Sequence, residues 1–416
     1  MQQFYSPKTL VTWDVRAPVA MATQSIISAI LICTTPKGSP LRVGSLPILL
    51  YLALVCVRTA SAFSLQVMMY LGFAVCGYVN VFHCFNHLCL HTLDDSDVRR
   101  EMAKWKSSSP NPGWVERIYF TTAMLWSFRG IGTDHEIKGT PRFPGKNGQV
   151  PAKRAFLLTQ VFWIVVQYLF MDLITFQPQP PEAAEAWAVG KEWLWLPLNP
   201  HPVTHEDLVS RLISTLMSWY LFGMMMLDTW YRVFAIVFVS LGISEVKQWP
   251  PMYGSYSACY SLRGYFGDFW HQCMRSPLQG VALYVTRDML GLKRSLAESY
   301  LTMLLVFLLS GHFHILLDYC SGMTSWKLSG GVQCFLLFVP GIMFEDAVRW
   351  VWPKVKAKAG IRGIRRLERG IGYVWTFLFL AAVTPVFNYP LQRITRNPTY
   401  VVPWSVFKRF LGDGDR

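Results

Sequence analysis

The sequence has few charged side chains for its length. Only 15% of its 416 residues are Asp, Glu, Lys or Arg, whereas a soluble domain has about a quarter. Hydrophobic residues make up 52% and come in long blocks, and about 20 apolar residues suffice to cross a bilayer as a helix. These features predict an all-α, polytopic integral membrane protein, with one membrane domain over residues 1–416 and no separate soluble domain.

Three kinds of pattern are also missing. There is no CxxC pair among the nine cysteines, and several cysteines lie in apolar runs, which favours reduced core thiols over a disulfide framework. There is no internal repeat like those of transporters, so a transporter or a lipid-binding protein is kept only as an alternative of another class. The N-terminus lacks a basic region followed by an apolar core, so we expect internal spans to direct insertion.

The apolar blocks predict about eight or nine transmembrane helices. The second and third blocks nearly touch, as do the fifth and sixth, so each pair could form a tight hairpin. A shorter aromatic stretch at 114–128 favours an interfacial or re-entrant helix. The blocks are 19–35, 45–63, 64–82, 153–176, 208–227, 230–246, 297–319, 331–352 and 371–389.

The positive charge predicts orientation. The net charge is +14, and the loop 353–370 holds seven Lys or Arg against one acid, which is typical of a cytosolic loop. Counting back, 247–296 is also predicted to be cytosolic and 320–330 lumenal, while the side of 83–152 stays open. The basic residues form no stripe, so no nucleic acid is expected as a partner.

Two segments carry candidate chemistry. Ser310–His314 lies in an apolar run, and ionisable groups inside a membrane are usually functional. His312 and His314 are about 200° apart on a helix, so only one can face a given cavity. The alternative is that both are core histidines bonded to backbone carbonyls.

The second segment, 261–272, packs aromatics, glycines, Arg263 and His271 into twelve residues. The alternative interpretation of this segment is an interfacial aromatic helix.

Two weaker patterns favour structural roles. The glycine spacing of Phe128–Gly132 indicates a simple turn rather than a phosphate cradle. Glu345, next to Asp346, is four residues before Arg349, which favours an ion pair on a helix surface.

A histidine cluster supports a competing chemistry. His83, His87 and His91 are spaced four apart, as are His201 and His205, and this spacing can point two imidazoles at one metal. A membrane di-iron hydroxylase or desaturase would need about eight histidines with HxxHH pairs, whereas the chain has nine and no HxxHH. We therefore predict no metal, with these residues at the polar ends of a span and some lining the substrate chamber.

One motif resembles a known family. SLRGYFGDFWHQ, residues 261–272, is similar to the SLRxFWGxxWHQ signature of the wax-synthase-like branch of the membrane-bound O-acyltransferase superfamily, although Tyr265-Phe266 replaces the usual Phe-Trp. An SGxxH pattern follows about forty residues later and ends on His314. The FRGIG segment, GIMFED (341–346) and the run 372–390 also resemble fungal members, so the likeness covers about 120–390.

The resemblance implies acyl transfer from acyl-CoA to a hydroxyl. Fungal relatives of this size often acetylate terpenoids or meroterpenoids in secondary-metabolite pathways, so it implies acetyl-CoA as cosubstrate and a hydrophobic alcohol as acceptor. A long-chain wax-ester synthase that uses a fatty alcohol is the nearer alternative. No tightly bound cofactor is expected, and the expected location is the endoplasmic reticulum membrane.

The resemblance also implies roles for residues. His314 completes SGxxH and would be the general base. His271 stands where sterol and glycerolipid members have an Asn paired with the catalytic His, and it could orient the base or donate to the oxyanion. Substrate or CoA binding is predicted for Arg263, Trp270, Gln272 and Arg275, and Lys293 and Arg294 are further candidates for the CoA phosphates.

Overall fold

The computed structural model is helical throughout its described secondary structure, with no strand in that part of the chain. Seven helical segments are long and apolar enough to span a membrane, by length and composition. The described residues are 15–60, 77–105, 111–145, 148–176, 181–194, 201–321, 323–394, 402 and 404–411. The candidate spans are Arg16–Thr34, Pro40–Thr59, Lys153–Thr175, His205–Ser240, Leu296–Cys320, Trp326–Ala359 and Arg365–Gln392.

The N-terminal helices form one packed unit, in which α1 contacts both α3 and α6. Buried amides join them: Gln24 donates to the Leu49 carbonyl at 2.8 Å, and Asn80 donates to Gln24 at 3.3 Å. The elements are α1 (Arg16–Thr34), α2 (Pro40–Gly44), α3 (Leu46–Ala60), α4 (77–85) with the π-turn Asn86–Leu90, α5 (Asp95–Ala103) and α6 (Trp114–Trp126).

The remaining helices carry the candidate site. α12 packs along α13, and α13 packs against α14. The helices are α7 (Lys153–Thr175), α8 (His205–Thr215), α9 (Phe222–Ser240), α10 (Leu262–Gly264), α11 (Arg275–Leu283), α12 (Leu296–Cys320), α13 (Gly331–Ala359), α14 (Arg365–Gln392) and α15 (Val406–Leu411). The π-turns are Leu216–Tyr220, Tyr265–Phe269 and Tyr284–Met289, and the short 3-10 turns are Pro181–Trp187, Val246–Gln248, Tyr256–Ala258 and Trp326–Leu328.

Long apolar side chains remain exposed along the candidate spans. On α7, for example, Leu158 is 61% exposed and Phe162 is 60% exposed. Exposing such an apolar face to water is unfavourable, whereas contact with lipid is not. This agrees with the predicted multi-pass membrane fold.

The predicted fifth and sixth spans differ from the structure. Residues 205–240 form one helical segment, bent at the π-turn, rather than a hairpin. Asp228 separates the two apolar runs in the sequence, but here its carboxylate accepts from Arg232 at 2.6 Å and from Gln167 of α7 at 2.7 Å. Because these partners satisfy the charge inside the helix, no turn is needed. The predicted span 64–82 lies mostly outside the described residues.

The cysteines follow the prediction. The eight described cysteines are free thiols, and half of them are buried. The predicted helix at 114–128 is also present, as α6.

Candidate active site

The 261–272 motif folds into a capped turn that ends in an extended segment. The Ser261 hydroxyl accepts from the Gly264 amide at 3.0 Å and starts α10. The helix widens into a π-turn and stops at Trp270, whose backbone is extended. The Gln272 amide donates to the carbonyls of Phe266 at 3.1 Å and Trp270 at 2.6 Å, which fixes the turn. His271 therefore lies in non-helical backbone between Trp270 and Gln272.

Tyr265, which stands where the family pattern has Phe, makes a hydrogen bond through its hydroxyl. Tyr265 is fully buried, and its hydroxyl donates to the Trp219 carbonyl at 2.7 Å. Trp219 lies in the π-turn of α8–α9, where the usual helical bonding is interrupted. A phenylalanine at 265 could not donate to that carbonyl. The tyrosine hydroxyl therefore supplies a hydrogen bond that the usual family residue would not.

Glu345 ties the motif to the helix bundle. It is 6% exposed, and its carboxylate accepts from the Leu262 amide at 2.6 Å, the Arg263 amide at 3.2 Å and the Trp375 indole at 2.9 Å. A negative charge at the first amides of a helix is favourable. The predicted surface pair of Glu345 with Arg349 is wrong, because Glu345 faces the core and caps α10.

Asp346 completes the connection between GIMFED and the motif. Its carboxylate pairs with the Arg263 guanidinium, with an Nε–Oδ1 distance of 3.1 Å, and accepts from the Tyr300 hydroxyl at 2.9 Å. Arg263 thus has a carboxylate partner in the structure.

The FRGIG segment forms the turn that its glycines favour, with φ of 62° at Gly130 and 76° at Gly132. Arg129 is buried at 4% exposure and donates to the carbonyls of Pro250 at 3.0 Å and Pro251 at 2.7 Å. It also donates to the Tyr231 hydroxyl at 2.6 Å. This side chain fixes the loop that leads into the 261–272 motif.

His314 is on α12, and its ring lies against α13 among aromatic side chains. Its ring stacks on Phe335 at a centroid distance of 4.4 Å and meets Phe387 edge-on at 4.8 Å. His312 is exposed and bonds the Tyr78 hydroxyl through Nδ1 at 2.9 Å. The two histidines therefore point to different surroundings, as their spacing predicts.

His271 has a similar setting on the other side of the site. Its ring is 5.3 Å from that of Trp270 and 6.2 Å from that of Tyr253. Burial, with a smaller contribution from the Arg129 charge, lowers the pKa of His271 to about 4. The imidazole is therefore neutral at neutral pH and can both donate and accept a hydrogen bond.

Trp219 links the two histidines through aromatic contacts. Its ring lies 5.1 Å from Trp270 and 6.5 Å from Phe335, which contact His271 and His314 respectively. The imidazoles are close enough to interact electrostatically. Within the described part of the chain, Nδ1 of each histidine is buried and has no hydrogen-bond partner. A buried polar atom without a partner is costly, so these atoms are candidates for interaction with a substrate or another side chain.

The remaining predicted binding residues have structural contacts. Trp270 stacks with Tyr265 at 5.8 Å, and Gln272 stabilises the turn described above. Arg275 donates at 3.3 Å to the carbonyls of Lys138 and Gly267 and to the Gln272 amide oxygen. The proposed substrate contacts of these residues remain predictions.

Sequence reasoning missed several residues around the site: Trp219, Tyr253, Phe335, Phe387 and the roles of Arg129 and Glu345. The four aromatic residues lie in apolar or aromatic segments where no spacing distinguishes them. Arg129 and Glu345 could have been found, because each is a charged residue within an apolar motif. Such residues are rarely buried unless they are paired.

A surface cleft of about 450 Å³ is lined in part by Tyr253. Arg142 and Asp268 contribute opposite charges to its wall. The Tyr253 hydroxyl is buried, and among the described residues it has no hydrogen-bond partner. Tyr253 thus lines the cleft and also contacts the ring of His271.

The predicted histidine cluster is only partly assembled. His83 and His87 are 4.6 Å apart between ring centroids, and His87 is 5.6 Å from His135, while His91 is exposed. His201 bonds the Val189 carbonyl at 3.0 Å. Among the described residues, no group of three or more His, Cys, Asp or Glu is placed to hold a metal ion.

Comparison with known proteins identifies the class. The membrane bound O-acyl transferase family matches residues 249–338. The acetyltransferase ataH of Aspergillus terreus is 38% identical over 290 residues, covering 68% of this chain and 93% of the relative. The acetyltransferase atnC of Arthrinium sp is 30% identical over 403 residues, covering 92% and 89%, and TRI7 of Fusarium sporotrichioides is 29% identical over 342, covering 79% and 76%. No solved structure matches the chain.

The match of fold, motif and relatives defines a polytopic membrane acyltransferase. The chain belongs to the membrane bound O-acyl transferase family, as the 261–272 and SGxxH motifs predicted. Its reaction uses an acyl donor and an acceptor.

Proposed function

We propose that this enzyme transfers an acetyl group from acetyl-CoA to a hydroxyl of a hydrophobic polycyclic alcohol. A terpenoid or meroterpenoid of a fungal secondary-metabolite pathway is the proposed acceptor, and the endoplasmic reticulum is the proposed membrane. The observation that carries the proposal is the pair of half-buried histidines, His271 and His314, whose rings contact aromatic side chains and whose Nδ1 atoms are buried, in a member of this family. The relatives above are named acetyltransferases, which favours acetyl as the group transferred.

In the proposed mechanism, His314 accepts the proton of the acceptor hydroxyl as its oxygen attacks the thioester carbonyl. His271 donates a hydrogen bond to the oxyanion that forms. Collapse of the tetrahedral intermediate breaks the C–S bond, and the CoA thiolate takes the proton back from His314. The products are the acetate ester and CoA, and no acyl-enzyme is needed.

The surroundings suit such an acceptor. Phe335 and Phe387 contact the ring of His314, Trp270 contacts that of His271, and aromatic surroundings favour rigid apolar ring systems. For the donor, we propose that CoA approaches through the cleft beside Tyr253. We retain Arg275, Lys293 and Arg294 as candidate phosphate contacts, whereas Arg263 would have to exchange its Asp346 partner.

The test is transfer by purified protein in detergent. Labelled acetyl-CoA and palmitoyl-CoA are each offered with a polycyclic terpenoid alcohol and with a long-chain fatty alcohol, and His314→Ala protein is the blank. We expect an acetyl ester of the polycyclic alcohol. Use of palmitoyl-CoA with the fatty alcohol, but not acetyl-CoA, would instead establish a wax-ester synthase.

A further inference from the structure

A buried carboxylate lies one helical turn from His314 on the same face of α12. Asp318 is 1% exposed, and residues four apart on a helix have Cβ atoms about 5–6 Å apart. The proposed mechanism gives this carboxylate no role. Placing an acidic side chain inside a membrane-spanning helix costs free energy. The contacts of Asp318 should therefore show how this cost is offset.

Only half of the Asp318 carboxylate is satisfied. Oδ2 accepts from the Ser329 hydroxyl at 2.6 Å, and the same hydroxyl oxygen accepts from the Gly331 amide at 3.1 Å. Oδ1 is buried and, among the described residues, has no hydrogen-bond partner. Ser329 thus fixes one oxygen and leaves the other available.

The packing places this group beside His314. A Cβ built on Gly331 would lie 3.1 Å from the His314 Cβ and 3.2 Å from the Ser329 hydroxyl oxygen. The seam between α12 and the start of α13 therefore brings the Ser329–Asp318 bond next to the histidine. Two buried atoms on one helix face, Nδ1 of His314 and Oδ1 of Asp318, thus have no hydrogen-bond partner among the residues that the structure describes.

We propose that Asp318 is a positioning residue for His314, and this rests on the proposed function. When substrates fill the site, Nδ1–H of His314 donates to Oδ1 of Asp318. This bond fixes the tautomer with its lone pair on Nε2, the atom that accepts the hydroxyl proton, and the carboxylate stabilises the imidazolium that forms.

Few other charges act at this point. His271 is the titratable group that interacts with His314 from the 261–272 loop, and Ser329 is the polar partner of Asp318 from the loop before α13. On α13, Glu345 and Asp346 are bonded to the 261–272 motif, and on α12 His312 bonds Tyr78. Asp318→Asn therefore changes the group beside His314 without removing any of these contacts.

The test compares Asp318→Asn with Asp172→Asn in the purified full-length enzyme. Asp172 is a matched control: it is fully buried, and its Oδ2 accepts from the amides of Val406 and Phe407 while Oδ1 has no partner in the described structure. We expect Asp318→Asn to lower kcat at least about 10-fold, with the KM for the acyl donor unchanged. The acidic limb of its pH–rate profile should move to lower pH by at least about one unit, because a nearby negative charge no longer favours the protonated base. Asp172→Asn should leave that limb in place.

Three outcomes are decisive. A lower Tm with an unchanged pH limb and kcat in Asp318→Asn would mean a structural role and overturn the proposal. A raised KM for the alcohol, with kcat and the limb unchanged, would mean that Asp318 binds the acceptor instead. Full activity in His314→Ala would overturn the general-base mechanism itself, and of these three outcomes only that one would count against the proposed function.

Discussion

At the scale of single residues, His312 and His314 differ by their neighbours rather than by their chemistry. Both lie on α12 in the same apolar run. His312 is exposed and bonded to Tyr78, whereas His314 lies between Phe335 and Phe387 near His271. The burial and the aromatic setting favour His314 as the base.

Alanine substitutions separate the two. A positioned base contributes about 10²–10⁴-fold in rate, so His314→Ala should lower single-turnover acyl transfer by at least roughly 100-fold. His312→Ala should lower it much less, and His271→Ala should fall between them or match His314→Ala, since residues that act together are not additive. The measurement is transfer in detergent, with the Tm of each variant checked. Near-normal turnover in His314→Ala with loss in His312→Ala would reverse the assignment.

At the scale of elements, glycines set how closely α12 and α13 approach. A Cβ on Gly311 would lie 2.7 Å from the Val332 Cα, which real contacts do not allow. The glycine of SGxxH is therefore required by packing, and it brings α13, with Phe335, against the ring of His314.

Gly311→Ala should force the two helices apart. We expect a lower Tm and reduced turnover, because the aromatic contact of His314 depends on this seam. Gly370→Ala in α14 is the control, since its Cβ would meet no atom within 4 Å and alanine favours helix. A Tm for Gly311→Ala equal to that of the control would show that the seam can relax.

Glu345 is the second element-scale contact, since it joins α13, α10 and α14. Glu345→Ala would leave two backbone amides and the Trp375 indole unpaired, at about 1–3 kcal/mol for each buried group. We therefore expect a clear loss of thermal stability together with reduced turnover, because the 261–272 loop carries His271.

The control for this variant is Glu368→Ala. Glu368 bonds Trp352 and Lys356 at the protein surface, and exposed pairs contribute little. Its Tm should stay close to that of the unchanged protein. Equal Tm losses in the two variants would contradict a special role for the buried cap.

At the scale of the whole molecule, orientation in the membrane is still a prediction from charge. Residues 247–296 and 353–370 are predicted to face the cytosol. The span Trp326–Ala359 connects the basic loop to a segment predicted to be lumenal, so its two ends should lie on opposite sides.

Cysteine labelling tests this orientation. In a Cys-depleted background, Lys358→Cys should react with an impermeant reagent from the cytosolic side. Trp326→Cys, at an exposed position of the opposite end, should react only from the lumenal side. Labelling of position 358 from the lumen alone would invert the topology, and labelling of both from one side would show that the segment does not span.

The sequence by itself determined the class of this protein, because the features that define the class lie in short, continuous segments of the chain. Apolar blocks predict spans from their length alone, and motif order from FRGIG to GIMFED identified the family and predicted the two catalytic histidines. The same local reasoning paired Glu345 with Arg349 and divided 205–240 into two spans. Tertiary structure decided otherwise. The partners of Glu345 are 82 or 83 residues away in the 261–272 motif and 30 away in α14, and Asp228 finds Gln167 on another helix. A buried charge takes whichever partner the packing brings near, and spacing along one helix cannot show which that is.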